Sequence, residues 1–593
     1  MRRPTRLLTR ACVPALLAAA LAAPVAPGTA RATEQPPQER AFAPQLVRVA
    51  TPTEADVARL QGLGLDLTEH GGAEGLDVVL HTAAQRRRLE SAGFESFVLV
   101  EDLLAREAER NRLDEEYAAT TTRSALPSGR TAYRTLEDYE TEMATLVREH
   151  RRDVRPLTLA EPTLDGHAVH GVEIAHRVRR ADGRPTLLVL GVHHAREWPS
   201  GEHSMEVATM LAEGLGEQRR ITRLLKRVRV VVVPMVNVDG FDLSRTSGGL
   251  IDLNVLNGLD PSGSVLPTAT QLTPGFAYLR KNCRLVDGVD TPDGACAAQL
   301  STPAGFGLGV DLNRNYGQWW SGPGAAGTLP SVTEFHAGLV DPRYHGAEAF
   351  SEPETRNVRD LVLSRHVTVL VTNHTFGNLV LRPWAGAPDH VTDAGVELGL
   401  APDERLLRRL GDAMGDRNGF TSQRSHELYD GVGTTEDWAY AATGALGWTF
   451  EIGPTEFHPP YEDVVDLWTG RHESTDGARG GQRAAYLVAL EAAATTRHHG
   501  LLTGRAPRGA TLTLTRDAAT QTWDGTSPAR LRTSLEVGRG GRFSWHVNPS
   551  TRPIAEGVER YRLVCRSAEG RSVSQVRVDR DERVRVDLRR ACG

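Results

Sequence analysis

Four continuous apolar runs dominate the middle of the chain: Thr186–Val192, Val228–Met235, Val367–Thr372 and Leu446–Phe450. Amphipathic helical patterns lie between or beside them, over Thr135–Glu149, Glu202–Gly214, Glu354–Arg365, Leu406–Arg417 and Arg483–Ala494. A strand that is apolar at every position is buried on both faces, which requires helices on either side. The pattern therefore predicts an α/β domain over residues 131–497, with a mixed, mostly parallel central sheet flanked by helices. In such sheets functional residues collect at the carboxyl ends of the strands.

The pattern changes on either side. Leu46-Val47-Arg48-Val49-Ala50 alternates as a strand, Thr53 is placed to cap a helix to about Leu63, and Leu76–Leu80 is a second strand. A charged helix over Ala83–Ala92 and a strand over Phe97–Val100 follow. A strand near Leu65–Thr68 completes a β-α-β-β-α-β order, a small α+β domain within residues 33–102. Residues 103–130 are charged, then rich in Thr, Ser, Pro and Gly, with no apolar period, and read as a linker. Beyond residue 500, short alternating runs at Ala510–Thr515, Arg530–Val537, Arg542–His546, Tyr561–Cys565 and Val573–Leu588 predict an all-β sandwich over 500–593.

The amino terminus has its own signature. Arg2, Arg3, Arg6 and Arg10 precede an apolar stretch, Ala11–Val25, and Ala30-Arg31-Ala32 is a small-x-small cleavage site. Residues 1–32 read as an export signal, with twin-arginine export left open beside the general route. No later stretch reaches the ~18–20 apolar residues of a membrane span. The expectation is a secreted, extracellular protein without an integral membrane segment. The signal carries five arginines and no acids, so its removal takes the net charge from −6 to −11. That balance excludes a dedicated nucleic-acid binder, which needs excess cations against phosphate. Of five cysteines, Cys12 lies in the signal. Cys283, Cys296, Cys565 and Cys592 allow three pairings; proximity favours two local bridges, and the close spacing of a cysteine zinc site is missing.

Candidate chemistry begins where the strand Thr186–Val192 runs into His193-His194-Ala195-Arg196-Glu197. A histidine and a carboxylate three apart, on the turn leaving a buried strand, can face one metal ion. Zinc accepts both donor types and takes three protein ligands at catalytic sites. His374, just past the strand Val367–Thr372, is the candidate third ligand. The competing readings are a surface His–Glu pair and a core histidine. His193 and His203 read as structural, and Tyr316, Trp319 and Trp320 as a wall or core cluster rather than a sugar-stacking platform.

Further motifs follow in order: Arg280-Lys281, Asp311-Leu312-Asn313-Arg314-Asn315, Tyr429, Asp437-Trp438 and Phe450-Glu451. Together with the His-Ala-Arg-Glu turn and the strand-end histidine, this set resembles the zinc metallocarboxypeptidases of the carboxypeptidase A/B family, over roughly Tyr133 to Arg497. The resemblance implies one Zn2+ held by His194, Glu197 and His374. It implies Glu451 as the carboxylate that activates water and serves as general base and acid, and Arg280 as the group polarising the scissile carbonyl. Asn313, Arg314 and Tyr429 would clamp the substrate's terminal carboxylate, and Arg196 would contact an outer subsite. Glu436, just before Asp437-Trp438, would lie at the floor of the pocket for the terminal side chain. It points to terminal Lys or Arg unless Arg424 neutralises it. The domain at 33–102 would be a propeptide over the cleft of an inactive precursor, released near Arg123, Arg130 or Arg134.

Elementary chemistry agrees with these roles. Arginine's planar fork suits a carboxylate, and an internal peptide bond has no carboxylate to offer, so the clamp implies an exopeptidase. The chain departs from the family in having Thr375-Phe376 where animal enzymes have Ser-Tyr, and in two longer stretches, Leu243–Phe276 and Gly322–His345. The expected function is a secreted zinc metallocarboxypeptidase acting on the C-termini of peptides or proteins. Two alternatives stand beside it. One is a peptidoglycan stem-peptide carboxypeptidase or amidase of the same fold, its sandwich binding the cell wall or another polymer. The other is a catalytically inactive cell-surface binding protein, which would have lost Glu451 or a zinc ligand.

Overall fold

The computed structural model describes residues 42–592 apart from 73–74, 181, 247–276, 285–295, 297–308, 328–340 and 476. The export signal and most of the two long stretches, 247–276 and 328–340, lie outside the described residues. The amino-terminal domain follows the expected order: β1 (Gln45–Val49), α1 (Glu54–Gln61), β2 (Asp66–Gly72), β3 (Gly75–Leu80), α2 (Ala83–Ser91) and β4 (Ser96–Val100). Its strands form one antiparallel sheet in the order β2-β3-β1-β4. Thr53 and Thr82 cap the two helices through their hydroxyls. The β2–β3 connection closes at Gly75, where φ is +134° and a Cβ would meet Val49 O at 2.0 Å, so only glycine fits.

The expected linker is instead largely helical. α3 (Leu103–Thr120) starts where the Asp102 carboxylate accepts the amides of Leu104 and Ala105. It is laced by pairs one turn apart: Arg110 with Glu107 and Asp114, and Arg112 with Glu109 and Glu116. Only Leu103 and Arg110 are buried on it, so good helix formers and ion pairs carry this helix without an apolar stripe.

The catalytic sheet is built from β5 (Val154–Thr158), β6 (His170–Ile174), β7 (Thr186–Leu190), β8 (Arg229–Val233), β9 (Val367–His374), β10 (Leu379–Arg382), β11 (Thr421–Arg424) and β12 (Leu446–Glu451). The order is β11-β10-β12-β9-β7-β8-β6-β5. The central four, β12, β9, β7 and β8, are mutually parallel, while β10 pairs antiparallel with β12 and β6 with β8. Every residue of β7, β9 and β12 is buried. Helices α4 (Leu136–Glu149) and α5 (Trp198–Gly214) are among those that cover the sheet.

The carboxyl-terminal region is β-rich: β13 (Gly500–Arg505), β14 (Thr511–Gln521), β15 (Thr526–Glu536), β16 (Arg542–Val547), β17 (Tyr561–Arg566), β18 (Arg571–Val576) and β19 (Arg583–Asp587). They form two sheets, β16-β13-β19 and β15-β14-β17-β18. β15 alternates exposed and buried along its whole length, the period of a strand with one face on a core. The two local disulfides are formed, Cys283–Cys296 and Cys565–Cys592. The region is keyed to the catalytic domain by buried His366, 2.7 Å from Thr533 Oγ1 and 3.0 Å from Asn548 Oδ1. Burial pushes the His366 pKa down to about 3, so it is neutral there. Among the described residues no helix is long and apolar enough to cross a membrane.

Candidate metal centre and substrate cleft

The metal-binding turn is made by a close approach followed by a strained residue. At Gly191 a Cβ would stand 2.6–2.7 Å from Pro234 O, Ser200 O and Ser204 Oγ. Val192 then adopts φ +48°, which costs a residue with a side chain about 1–3 kcal/mol. Ser200 Oγ accepts its amide and the Asn237 amide donates to its carbonyl, both at 2.9 Å. This bend turns His194 and Glu197 back over the strand ends, where β9 delivers His374. His194 Nδ1 lies 2.6 Å from Glu197 Oε1, and His374 Nδ1 lies 2.9 Å from Glu197 Oε2. The two Nδ1 atoms are 3.2 Å apart. One atom from each buried residue falls within a 4.8 Å cluster. Two imidazole nitrogens facing each other across a carboxylate form a zinc donor set, and the residues fit the metal that the motif implied.

Asp311 supports this centre, a role that sequence reading left unassigned. Its Oδ1 lies 3.1 Å from His194 Nε2 and accepts the Asn313 amide at 3.0 Å, while its Oδ2 accepts Arg280 Nε at 3.1 Å. Burial pushes the Asp311 carboxyl up, but Arg280 and His194 outweigh it and hold it well below the usual range. An ionised Asp311 fixes the ring of a metal ligand from behind and holds the guanidinium beside the centre. The available signal was a carboxylate two residues before Asn313.

His193 is structural, as expected: its ring nitrogens lie 2.9 Å from Tyr316 Oη and 3.1 Å from Thr372 Oγ1. Burial, then the adjacent His374 and His194, push its pKa well down. His203 Nε2 donates to Val464 O at 3.0 Å. Tyr316 and Trp319 are core residues, and Trp320 Nε1 donates to His345 O.

Glu451 ends β12 in register with His374 on the parallel neighbour β9. The adjoining pocket is lined by Asn313, Arg314, Tyr429, Thr434, Glu436, Thr449 and Glu451. Asn313 Oδ1 accepts both the amide and hydroxyl of Thr435 at 3.0 Å. Arg314 is braced by the carbonyls of Asn313 and Gly324. Glu436 is buried, and its Oε2, Thr434 Oγ1 and Thr449 Oγ1 have no hydrogen-bond partner among the described residues. Arg424 does not line this pocket; it is paired with Glu427 at 2.8 Å.

Arg196 is engaged from the amino-terminal domain. Its Nη1 and Nη2 donate to the two oxygens of Asp66, at 2.5 and 2.9 Å, and its guanidinium lies 3.9 Å over the Phe457 ring. His81 Nε2 lies 2.9 Å from the same carboxylate. Alongside, Leu379, Leu381, Leu428 and Tyr429 join the apolar core of the amino-terminal domain. Gln61 Nε2 donates to Asp430 O, and Arg343 Nη2 donates to Gln61 O. The domain thus covers the rim of the pocket that contains Glu436.

A buried His–Glu–His centre at the carboxyl ends of parallel strands, in a mixed eight-stranded sheet, defines a zinc-dependent hydrolase. The zinc carboxypeptidase (peptidase M14) family model matches residues 139–474, and the chain belongs to that family. Its activity is zinc-dependent carboxypeptidase action at His194, Glu197 and His374. The chain is 24% identical over 351 residues to a zinc carboxypeptidase of Saccharothrix mutabilis subsp. capreolus, covering 59% of this chain and 69% of that one. It is 24% identical over 371 residues to zinc carboxypeptidase A 1 of Anopheles gambiae, covering 61% and 69%. The fold is shared with carboxypeptidase A from Helicoverpa armigera, with a TM-score of 0.56 at 16% identity over 77% of this chain and 99% of that one. Thrombin activatable fibrinolysis inhibitor shares it with a TM-score of 0.52 at 17% identity, covering 76% and 98%.

Proposed function

We propose that the protein is a secreted precursor whose cleft, once uncovered, removes Lys or Arg from the C-termini of peptides. The observation that carries this reading is Glu436, a buried carboxylate facing the pocket with one oxygen lacking a partner. A buried ionised carboxylate costs several kcal/mol unless a cation or donor meets it, and a substrate ammonium or guanidinium meets that need. The Thr434 and Thr449 hydroxyls beside it would accept the remaining protons of such a group.

His194, Glu197 and His374 would hold the zinc, which would supply Lewis-acid chemistry at the cleft. The chain's own residues do the rest. Glu451, set beside His374 by strand register, takes a proton from the attacking water and returns it to the leaving amine. Arg280, held by Asp311, supplies positive charge to the oxyanion that develops at the scissile carbonyl. Arg314, Asn313 and Tyr429 bind the terminal carboxylate and set the register of cleavage one residue from the end.

Latency is supported by the cover over Tyr429 and the occupation of Arg196 by Asp66. Of the three basic positions considered for activation, Arg134 is fully buried among Glu142, Glu202 and Glu206, and Arg130 is tied to Asp138 and Glu142. Arg123 is exposed. A cut after Arg123 would free a chain beginning at Ser124 that keeps the Arg134 network.

The test compares peptides ending in Arg and in Phe, with the parent enzyme and a Glu436→Ile variant, after limited trypsin. Hydrolysis of C-terminal Arg is expected to fall tenfold or more, ~1.4 kcal/mol of transition-state binding, with Phe spared or improved. An Arg-to-Phe ratio unmoved by the substitution would remove Glu436 from the pocket and end the reading.

A further inference from the structure

The end of the catalytic sheet opposite the zinc site holds a cavity of about 330 Å3. It opens where β7, β8 and β9 begin, and its far wall is Thr533, Ser534 and Trp545 of the carboxyl-terminal region. Its lining carries six guanidinium groups and two carboxylates.

The excess is concentrated around one buried acid. Glu173, fully buried on β6, accepts from Arg155 Nη2 at 2.6 Å and from Arg229 Nη1, and Arg365 Nη2 stands 3.6 Å from it. One carboxylate thus faces three guanidinium groups. Arg365 donates through Nη1 to Ser364 Oγ at 3.1 Å, and its contact with Glu173 lies beyond hydrogen-bond length. The second acid, Asp182, bonds Arg184 at 2.7 Å, yet Arg184 Nη2 is buried with no partner among the described residues. Arg179 and Arg180 add two exposed cations at the rim. Burial, then mutual repulsion with Arg155, pushes the Arg229 and Arg365 pKa values down to about 10.

We propose that this cavity is a binding site for a phosphate-class oxyanion, held in guanidinium forks at the seam between the catalytic sheet and the carboxyl-terminal β region. Guanidinium pairs two N–H groups with two oxygens of one anion. The volume exceeds one orthophosphate, so the site accommodates a diphosphate or a phosphate bearing a small ester. Walls from both regions mean that the bound anion stabilises their junction. The site is separate from the zinc centre and makes no claim on the peptide.

The test uses the full chain. Melting is followed in sodium phosphate, sodium diphosphate, glycerol phosphate and sodium chloride at matched ionic strength, with calorimetric titration of the phosphate that responds most. A selective rise of a few degrees over chloride is expected, because a ligand that binds only the folded state raises its stability. An Arg155→Gln/Arg365→Gln variant is expected to lose tenfold or more in phosphate affinity. Should that variant fail to fold, Arg179→Gln/Arg180→Gln changes only exposed rim residues and is expected to weaken binding severalfold. The free anions and the ester distinguish inorganic phosphate from a phosphorylated molecule as the occupant. Equal melting in every phosphate and in chloride would overturn the proposal, as would a phosphate response that these substitutions leave unchanged.

Discussion

Asp66 and Arg196, 130 positions apart, meet through two hydrogen bonds of 2.5 and 2.9 Å, and both side chains are buried. The amino-terminal domain is therefore held on the catalytic domain by a desolvated ion pair as well as by apolar packing. Breaking one partner of such a pair costs about 2–5 kcal/mol, since the other charge is left buried. Asp66→Ala should therefore raise the activity of the uncut protein and speed tryptic cleavage at Arg123. Peptidase rates before and after limited trypsin measure this. A variant as latent as the parent would show that the pair does not hold the cover.

The same carboxylate sets the acid response of the cover. Burial raises the Asp66 pKa, but Arg196 and His81 outweigh it and hold the carboxyl far below the usual carboxylate range. A depressed carboxylate contributes stability that is fully present above its unfolded value and is lost only as pH falls through the folded value. The contact should therefore survive mild acid. After incubation at pH 4.5 and return to pH 7, the uncut protein should be no more active than before; activation by that exposure alone would contradict the assignment.

Metal and proton transfer should separate cleanly. Glu451→Gln is expected to keep stoichiometric zinc while losing about 10²–10⁴-fold in kcat, the usual worth of a general base. His374→Ala should lose zinc as well, because only His194 and Glu197 remain of the three ligands. Metal analysis of the dialysed proteins beside single-turnover rates decides the matter. Near-parent turnover in Glu451→Gln would assign the proton transfer to another group.

The legible parts of this molecule are those with a local cause. β7, β9 and β12 announce themselves because each is buried at every position, and the metal ligands lie at or just past strand ends, where function collects. β10 and β11 escape notice: each has four residues, and β11 reads Thr-Ser-Gln-Arg. Their strand character comes from pairing with β12 and with each other. α3 is invisible to apolar periodicity because only two of its eighteen residues are buried. The partnership of Asp66 with Arg196 and the surplus of arginine around Glu173 join segments remote in sequence, and only folding brings them together.

In the proposed reading, Arg314 and Asn313 in the pocket bind the free carboxylate of the substrate. The most direct measurement is kcat/KM of the zinc-loaded, trypsin-trimmed enzyme on two blocked peptides, identical except that one ends in Arg acid and the other in Arg amide. A chelated control accompanies each. The expected result is rapid, chelator-sensitive release of arginine from the acid and at least a hundredfold slower cleavage of the amide, a loss of ~2.7 kcal/mol of transition-state binding. Equal, chelator-sensitive rates on the two peptides would identify an endopeptidase and contradict the account.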